Sequence, residues 1–184
     1  MCRTRSAHRG ESTISKAAFD QLYEAHFKDV WHALRRLGVY DKDLPDAVHD
    51  VFLVAHRHWS TFDPYGSARP WLLGIAHKVA ANQRRKAARR EVHEDAAPPV
   101  ASTAPGADAM VDASDKRALV SAALAQLDEH KRCVLVLHDV EELAMPQVAA
   151  MLEVPVNTAY SRLRLAREQF EKVVRKLTRQ QGAA

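Results

Sequence analysis

Glycine and cysteine are both scarce in this 184-residue chain, and each scarcity narrows what it can be. Six glycines, with few runs rich in Val, Ile or Thr, argue against a sheet protein, which relies on β-branched strands and glycine-bearing turns. Two cysteines, Cys2 and Cys133, are too few for a disulfide framework, so a reducing cytoplasm is the expected compartment. No apolar run approaches the roughly 18 residues that a membrane-spanning helix requires, so no membrane insertion is expected. Residues 1–15 are polar and basic without an apolar stretch, and are read as a disordered tail rather than a secretory signal. The ten histidines form no cluster with cysteine, and His56 and His58 fall on different helix faces. Asp46 and His49 have the i, i+3 spacing of half a carboxylate-bridged di-metal site, but no second such pair stands at a suitable place. Neither catalysis nor a metal or other cofactor is therefore expected.

Apolar residues make up 47% of the chain and charged residues 27%, which is globular rather than disordered composition. The formal net charge is only +4, but the charges are segregated. Seven Lys or Arg and no acid lie between Arg69 and Arg90; six acids and no Lys or Arg lie between Glu91 and Asp115. From Val156 to Gln180, seven bases stand against Glu168 and Glu171. Solvated helix faces usually mix their signs, so two separated basic blocks point to a polyanionic partner.

Residues 91–115, with Pro98-Pro99 and Pro105-Gly106, carry no helical or strand period and read as an acidic linker. On either side the helical period is strong. Phe19, Leu22, Tyr23, Phe27, Val30, Trp31, Leu34 and Leu37 follow i, i+3, i+4 spacing and stop at Gly38, a C-cap. Asp41 or Asp43 opens a second helix with Pro45 in its first turn, and a third runs from about Ser67 to Arg90. In the latter, Trp71 is read as core packing, as is Trp59 before it. Beyond the linker, four helices are expected at about Asp115–Leu127, Glu129–Val140, Pro146–Leu152 and Val156–Leu177. The last two, joined across Glu153-Val154-Pro155, have the form of a helix-turn-helix whose second helix enters DNA. Asn157 is read as the N-cap of that helix. The expected fold is all-α: two small helical domains on a flexible linker, the second a four-helix domain containing the helix-turn-helix. A two-domain helix-turn-helix regulator that is not a polymerase subunit would also account for residues 116–175.

The residues then match a family. Asp46-Ala-Val-His-Asp50-Val-Phe-Leu53, Phe62-Asp-Pro, Arg69-Pro-Trp71-Leu72, Val154-Pro-Val-Asn-Thr158, Ser161-Arg162-Leu163 and Ala166-Arg167 occur in an order that resembles the extracytoplasmic-function sigma factors. These are small promoter-recognition subunits that keep sigma regions 2 and 4. The resemblance implies region 2 at 16–90, the linker at 91–115, region 4 at 116–177 and a tail at 178–184. It implies bacterial core RNA polymerase and promoter DNA as partners, and an anti-sigma factor as a regulator. It places core-polymerase docking on Asp46, His49, Asp50 and Phe52. It assigns −10 binding and melting to Phe62, Tyr65, Arg69, His77, Lys78, Asn82, Arg84, Arg85 and Arg89, with Phe62 and Tyr65 in the loop that holds a flipped base. It assigns −35 reading to the second helix of the helix-turn-helix. There Thr158, Tyr160, Arg162 and Arg164 are candidates for base contacts, while Asn157, Ser161 and Arg167 position the backbone.

This sequence departs from the family pattern at several places. His49 and Asp50 stand where Gln and Glu are usual, His77, Lys78 and Asn82 where Arg, Asn and Asp are usual, and Tyr160 where Lys is frequent. Glu153 stands where Gly is frequent. If it ends its helix in a left-handed conformation, the cost is about 1 kcal/mol. The 25 linker residues can span at most about 80–90 Å, against about 70 Å for two turns of DNA.

Overall fold

The apolar period that starts at Phe19 coils into helix α1 (Lys16–Arg36). A computed structural model describes residues 16–59, 62, 66–91 and 111–181. The expected N-terminal tail (1–15), linker residues 92–110, Tyr65 and residues 182–184 lie outside them. Gly38 does end α1: it takes φ +91°, and the Val39 N–H donates to the Leu34 carbonyl at 3.1 Å, closing the last turn. A 3-10 turn at Asp41–Asp43 leads into α2 (Leu44–Arg57), with Pro45 in its first turn, where its missing N–H has no partner to lose. Asp43 flanks α2, but its side chain makes no capping hydrogen bond. The third helix, α3 (Ala68–Glu91), follows the expected span to within one residue.

These three helices pack around Val30, Leu34, Leu37, Val48, Val51, Leu72 and Leu73, all buried. A fully buried Leu or Val contributes roughly 1.5–3 kcal/mol through the water-exposed surface it removes. Trp71 packs as the sequence suggests. Its ring lies 4.8 Å from that of Phe62 and 6.1 Å from that of Trp59, so the three fix the turn into α3.

The second domain is built from α4 (Val111–Ala125), α5 (Glu129–Leu135), α6 (Met145–Met151) and α7 (Val156–Gln181). Its α4 starts inside the stretch read as linker, whose proline and glycine all precede residue 107. Asp128 caps α5 by accepting from the Lys131 N–H at 3.0 Å.

Two further features differ from expectation. The helix expected to continue to Val140 widens into a π-helical turn at Val136–Val140. Its bonds run Glu141 N–H to Val136 carbonyl (2.9 Å) and Leu143 N–H to Leu137 carbonyl (3.1 Å), and Glu142 follows at φ +57°. Widening the turn keeps Val136 and Leu137 in the core while it brings Glu141 inside. Helix α7 begins at Val156, so Asn157 lies within its first turn and is not the N-cap; Pro155 stands at that edge, and its carbonyl accepts the Ala159 N–H at 3.0 Å. The two domains also meet one another. Their buried residues form one continuous apolar cluster, with α6 set against α3. The all-α reading holds: among the described residues there is no strand.

The helix-turn-helix itself forms from α6, the turn 152–155 and α7. Glu153 takes φ +55° to end α6, so the left-handed conformation expected of it is present at its cost of about 1 kcal/mol. Ala159, Leu163 and Ala166 are buried and Phe170 packs at their edge, which turns the opposite face of α7 outward.

Candidate nucleic-acid interface

The outward face of α7 collects the residues that the sequence assigned to duplex reading. Asn157, Tyr160, Ser161, Arg164 and Arg167 are exposed, and Thr158 and Arg162 are half-buried beside them. The Ser161 hydroxyl donates to the Asn157 carbonyl at 3.0 Å, which orients it along the helix. The three arginines are held differently. Arg164 pairs with Glu168 at 2.5 Å one turn on, and Arg167 grips both oxygens of Asp139 at 2.8 and 2.6 Å. These hydrogen bonds hold the Arg167 guanidinium still more firmly protonated, and they tie α7 to the π-helical turn. Arg162 alone of the three makes no ion pair among the described residues. Beyond it, Lys172, Arg175, Lys176 and Arg179 line an open groove on the last turns of α7.

Helix α3 collects the −10 candidates, and most of them are already engaged. Arg69 donates to the Glu141 carboxylate at 2.6 Å and to its carbonyl at 2.7 Å. Lys78 pairs with Glu153 at 3.3 Å, across an exposed gap. Arg84 donates to the Leu37 carbonyl and to Glu129 at 2.5 Å. Arg85 donates to Asn82 at 3.2 Å, and both are exposed, as is Arg89. Phe62 is stacked between Trp59 and Trp71. Tyr65, its expected partner, lies outside the described residues.

His77 sits half-buried on α3 with its Nδ1 buried and unpartnered. Burial holds its pKa below the usual 6.5, and the positive charges of Arg84 and Lys78 add to this against Glu129 and Glu153. The sign follows from linkage. Unfolded chains take up a proton at this histidine as pH falls through about 6.5, and the folded chain resists, so stability is full above that pH and declines below it. The thermal midpoint is expected to drop between about pH 7.5 and pH 5.5, and His77→Gln to make that drop smaller. An unaltered pH profile in the variant would assign the effect to other groups.

On α2, the helix expected to dock on core polymerase, Asp46 and His49 are exposed, and Asp50 is half-buried and accepts from Gln83 at 3.3 Å. Phe52, assigned to the same surface, is 4% exposed, with its ring 4.6 Å from that of Tyr23 and 6.5 Å from that of Phe19. It supports the helix from beneath; the apolar groups that reach the surface are Tyr23 and Leu53.

Sequence reasoning missed Glu141. It is 2% exposed and is the one charged residue that is buried among the described residues. Arg36 of α1 donates to one of its oxygens at 2.9 Å and Arg69 of α3 to the other. Cys133 is also buried, and burial pushes its thiol above the ordinary value. Among the described residues there is no group of three His, Cys, Asp or Glu that could hold a metal ion, and no helix long and apolar enough to cross a membrane.

Comparison with known proteins accords with this geometry. The family model described as Sigma-70 region 2 matches residues 22–90, and that described as Sigma-70, region 4 matches residues 117–170. The RNA polymerase sigma factor CnrH of Cupriavidus metallidurans is 30% identical over 165 residues, covering 83% of this chain and 84% of that protein. The ECF RNA polymerase sigma factor SigL of Mycobacterium tuberculosis is 29% identical over 170 residues, covering 90% and 92%. Among solved structures, CnrH in complex with the cytosolic domain of CnrY aligns with TM-score 0.64 and 25% identity over 90% of this chain and 92% of that one. The sigma factor RpoE in complex with the anti-sigma factor NepR, from Bartonella quintana, aligns with TM-score 0.70 at 20% identity, covering 86% and 97%, which bears on the fold alone. Two family models in order, together covering well over half the sequence, decide the matter: the chain belongs to the sigma-70 family as an extracytoplasmic-function RNA polymerase sigma factor, a polymerase-binding subunit that directs promoter-specific initiation.

Proposed function

We propose that this sigma factor divides promoter recognition between base reading by α7 and strand capture by α3, acting in the cytoplasm. Arg162 is the principal −35 reader. An arginine free of ion pairs can offer its guanidinium fork to guanine O6 and N7 in the major groove. Thr158, Tyr160 and Arg164 flank it, and Asn157, Ser161 and Arg167 set the depth and angle of the helix. The observation that carries the reading is that Arg162 makes no ion pair among the described residues, on a face whose other two arginines are tied to Glu168 and Asp139.

On α3, Arg69, His77, Lys78, Asn82, Arg84, Arg85 and Arg89 line the path of the −10 strand, with Phe62 and Tyr65 at its flipped base. Stacking and phosphate charge are what an unpaired strand requires. Asp46, His49 and Asp50 present a polar, acidic edge of α2 for core polymerase, with Tyr23 and Leu53 supplying apolar contact and Phe52 holding the helix from below. A protein inhibitor of the anti-sigma class is the expected regulator, since two structural neighbours were solved with such a partner or with a cytosolic domain bound.

Transcription in vitro with bacterial core polymerase and a pool of linear promoters tests the reading. The chain should support initiation from a subset of them, and Arg85→Ala should slow open-complex formation on all of that subset without changing its base preferences. Loss of one phosphate contact to a single strand should flatten the salt dependence of binding by about 0.7 in log–log slope. A base-specific loss in Arg85→Ala would contradict the division of labour. Duplex binding without initiation would favour a regulator that is not a polymerase subunit.

A further inference from the structure

Helix α7 runs to Gln181, past residue 170, where the match to Sigma-70, region 4 stops. The added turns carry Lys172, Arg175, Lys176 and Arg179, and no acid follows Glu171 in the chain. Their spacing, i, i+3, i+4 and i+7, puts all four on one face of the helix. All are exposed, and with Gln180 they line one open groove. Val173, Val174 and Leu177 are half-buried on the other side.

A basic helix end has two ordinary causes, and together they leave most of this one unexplained. A base in the last turn is favoured by the negative end of the helix dipole, but of the four only Arg179 stands there. A base one turn from an acid gains a weak surface pair, and only Arg175 has one, with Glu171 at 2.5 Å. Lys172 and Lys176 have neither, and with Arg179 they make no ion pair among the described residues. Lys172 and Lys176 are instead four positions apart with like charge, as are Arg175 and Arg179, which costs the helix stability. A polyanion seated on this face would turn that repulsion into attraction.

The position of the face says which polyanion. Steps of three or four from Asn157 through Ser161, Arg164 and Glu168 lead to Lys172, Arg175 and Arg179, every one of them exposed. The basic stripe is thus in line with the outward face of α7 that carries the −35 candidates. At 1.5 Å per residue, Lys172 and Arg179 lie about 15 and 26 Å beyond Arg162 along the axis. A major groove is about 12 Å wide and winds away from a straight helix, so groups this far on pass over phosphates rather than base edges.

We propose that the last turns of α7 form a second DNA contact, a sequence-independent clamp on the phosphates that flank the −35 bases. Lys172, Lys176 and Arg179 supply its charge, while Arg175 must first leave Glu171. Lysine ammonium groups act as point charges on flexible stems and suit phosphates that are met at no fixed angle. The clamp rests on the reading of α7 as the −35 helix and adds an anchor outside the bases that it reads.

The test compares holoenzyme containing Lys172→Gln/Lys176→Gln/Arg179→Gln with the parent on one promoter duplex. Glutamine keeps helix propensity, and circular dichroism establishes that the helix content is retained. Each lost phosphate contact should take about 0.9 from the log–log salt slope of binding, about 2.7 in all. Hydroxyl-radical footprints should lose protection beside the −35 bases and keep it across them, and preferences in a −35 library should not change. Lys172→Arg/Lys176→Arg, which keeps the charge, should behave as the parent. An unchanged slope overturns the clamp, and Arg162→Ala measured alongside shows what failed. If Arg162→Ala still loses discrimination at one base pair, the −35 reading stands and the stripe belongs to solvent or to an acidic protein. If it does not, the −35 reading has failed as well. A shallower slope with altered base preferences, or with protection lost across the −35 bases, overturns a sequence-independent contact outside them.

Discussion

Leu34→Ala is expected to lower the unfolding free energy by roughly 2–5 kcal/mol, as deletion of a core leucine does when its surroundings cannot collapse. Leu34 is 0% exposed and belongs to the apolar cluster shared by both domains. The side chain loses its transfer energy and leaves a cavity among neighbours that are themselves fixed in α1, α2 and α3. For a chain of this length each kcal/mol moves the thermal midpoint by about 2–4 °C, so calorimetry should find a fall of about 5–20 °C. Because the cluster runs through both domains, the transition should remain a single one in the variant. A fall below 1 °C would show that α1 is not packed as described. Two resolved transitions would show that the domains unfold independently.

Arg162→Ala carries the second large effect. One −35 base pair should lose about 5- to 150-fold in discrimination, the equivalent of 1–3 kcal/mol for a bidentate arginine on guanine. Core-polymerase affinity should stay as it was, since α7 and the acidic edge of α2 are separate surfaces. Arg164→Ala should cost less, because Arg164 must first leave Glu168, although an exposed pair one turn apart holds it only weakly. Arg167→Ala should weaken binding to all sequences alike, through loss of its bidentate grip on Asp139 and of the helix angle that it sets. Competition binding of the assembled holoenzyme to a library of −35 variants separates the three. A uniform loss across that library in Arg162→Ala would remove it from base reading.

Much of the fold could be read from the sequence because helices write their buried faces in a period of three to four residues. Leu34 and Leu37, Val48 and Val51, and Leu163 and Ala166 are all buried as their spacing requires. The Gly38 cap and the left-handed Glu153 could likewise be read, since each depends on one local residue type. What could not be read is of two kinds. The π-helical turn at 136–140 leaves the apolar pattern intact and changes only which neighbour turns inward. Contacts between the domains leave no period at all: Arg36 and Glu141 are 105 positions apart, and Arg69 and Glu141 are 72 apart. Charge segregation pointed to a polyanion, and correctly placed cations on α3, but a basic block looks the same in sequence whether it faces DNA or the acids of its own chain. Asn157 shows the limit of cap reading, where Pro155 set the helix start instead.

Gly38 closes α1 at φ +91°, and the same position lies under Arg132 of α5, whose guanidinium would collide with any Cβ placed there. A single missing side chain thus meets two demands, one from the backbone of its own helix and one from the neighbouring domain. Asparagine, which tolerates a left-handed backbone elsewhere, would satisfy the first and meet the second only if the Arg132 guanidinium moves aside. In a saturation library read out by folded yield, position 38 should therefore favour glycine, with asparagine next and β-branched residues last. Exposed neighbours such as Asp41 and Lys42 should accept most residues.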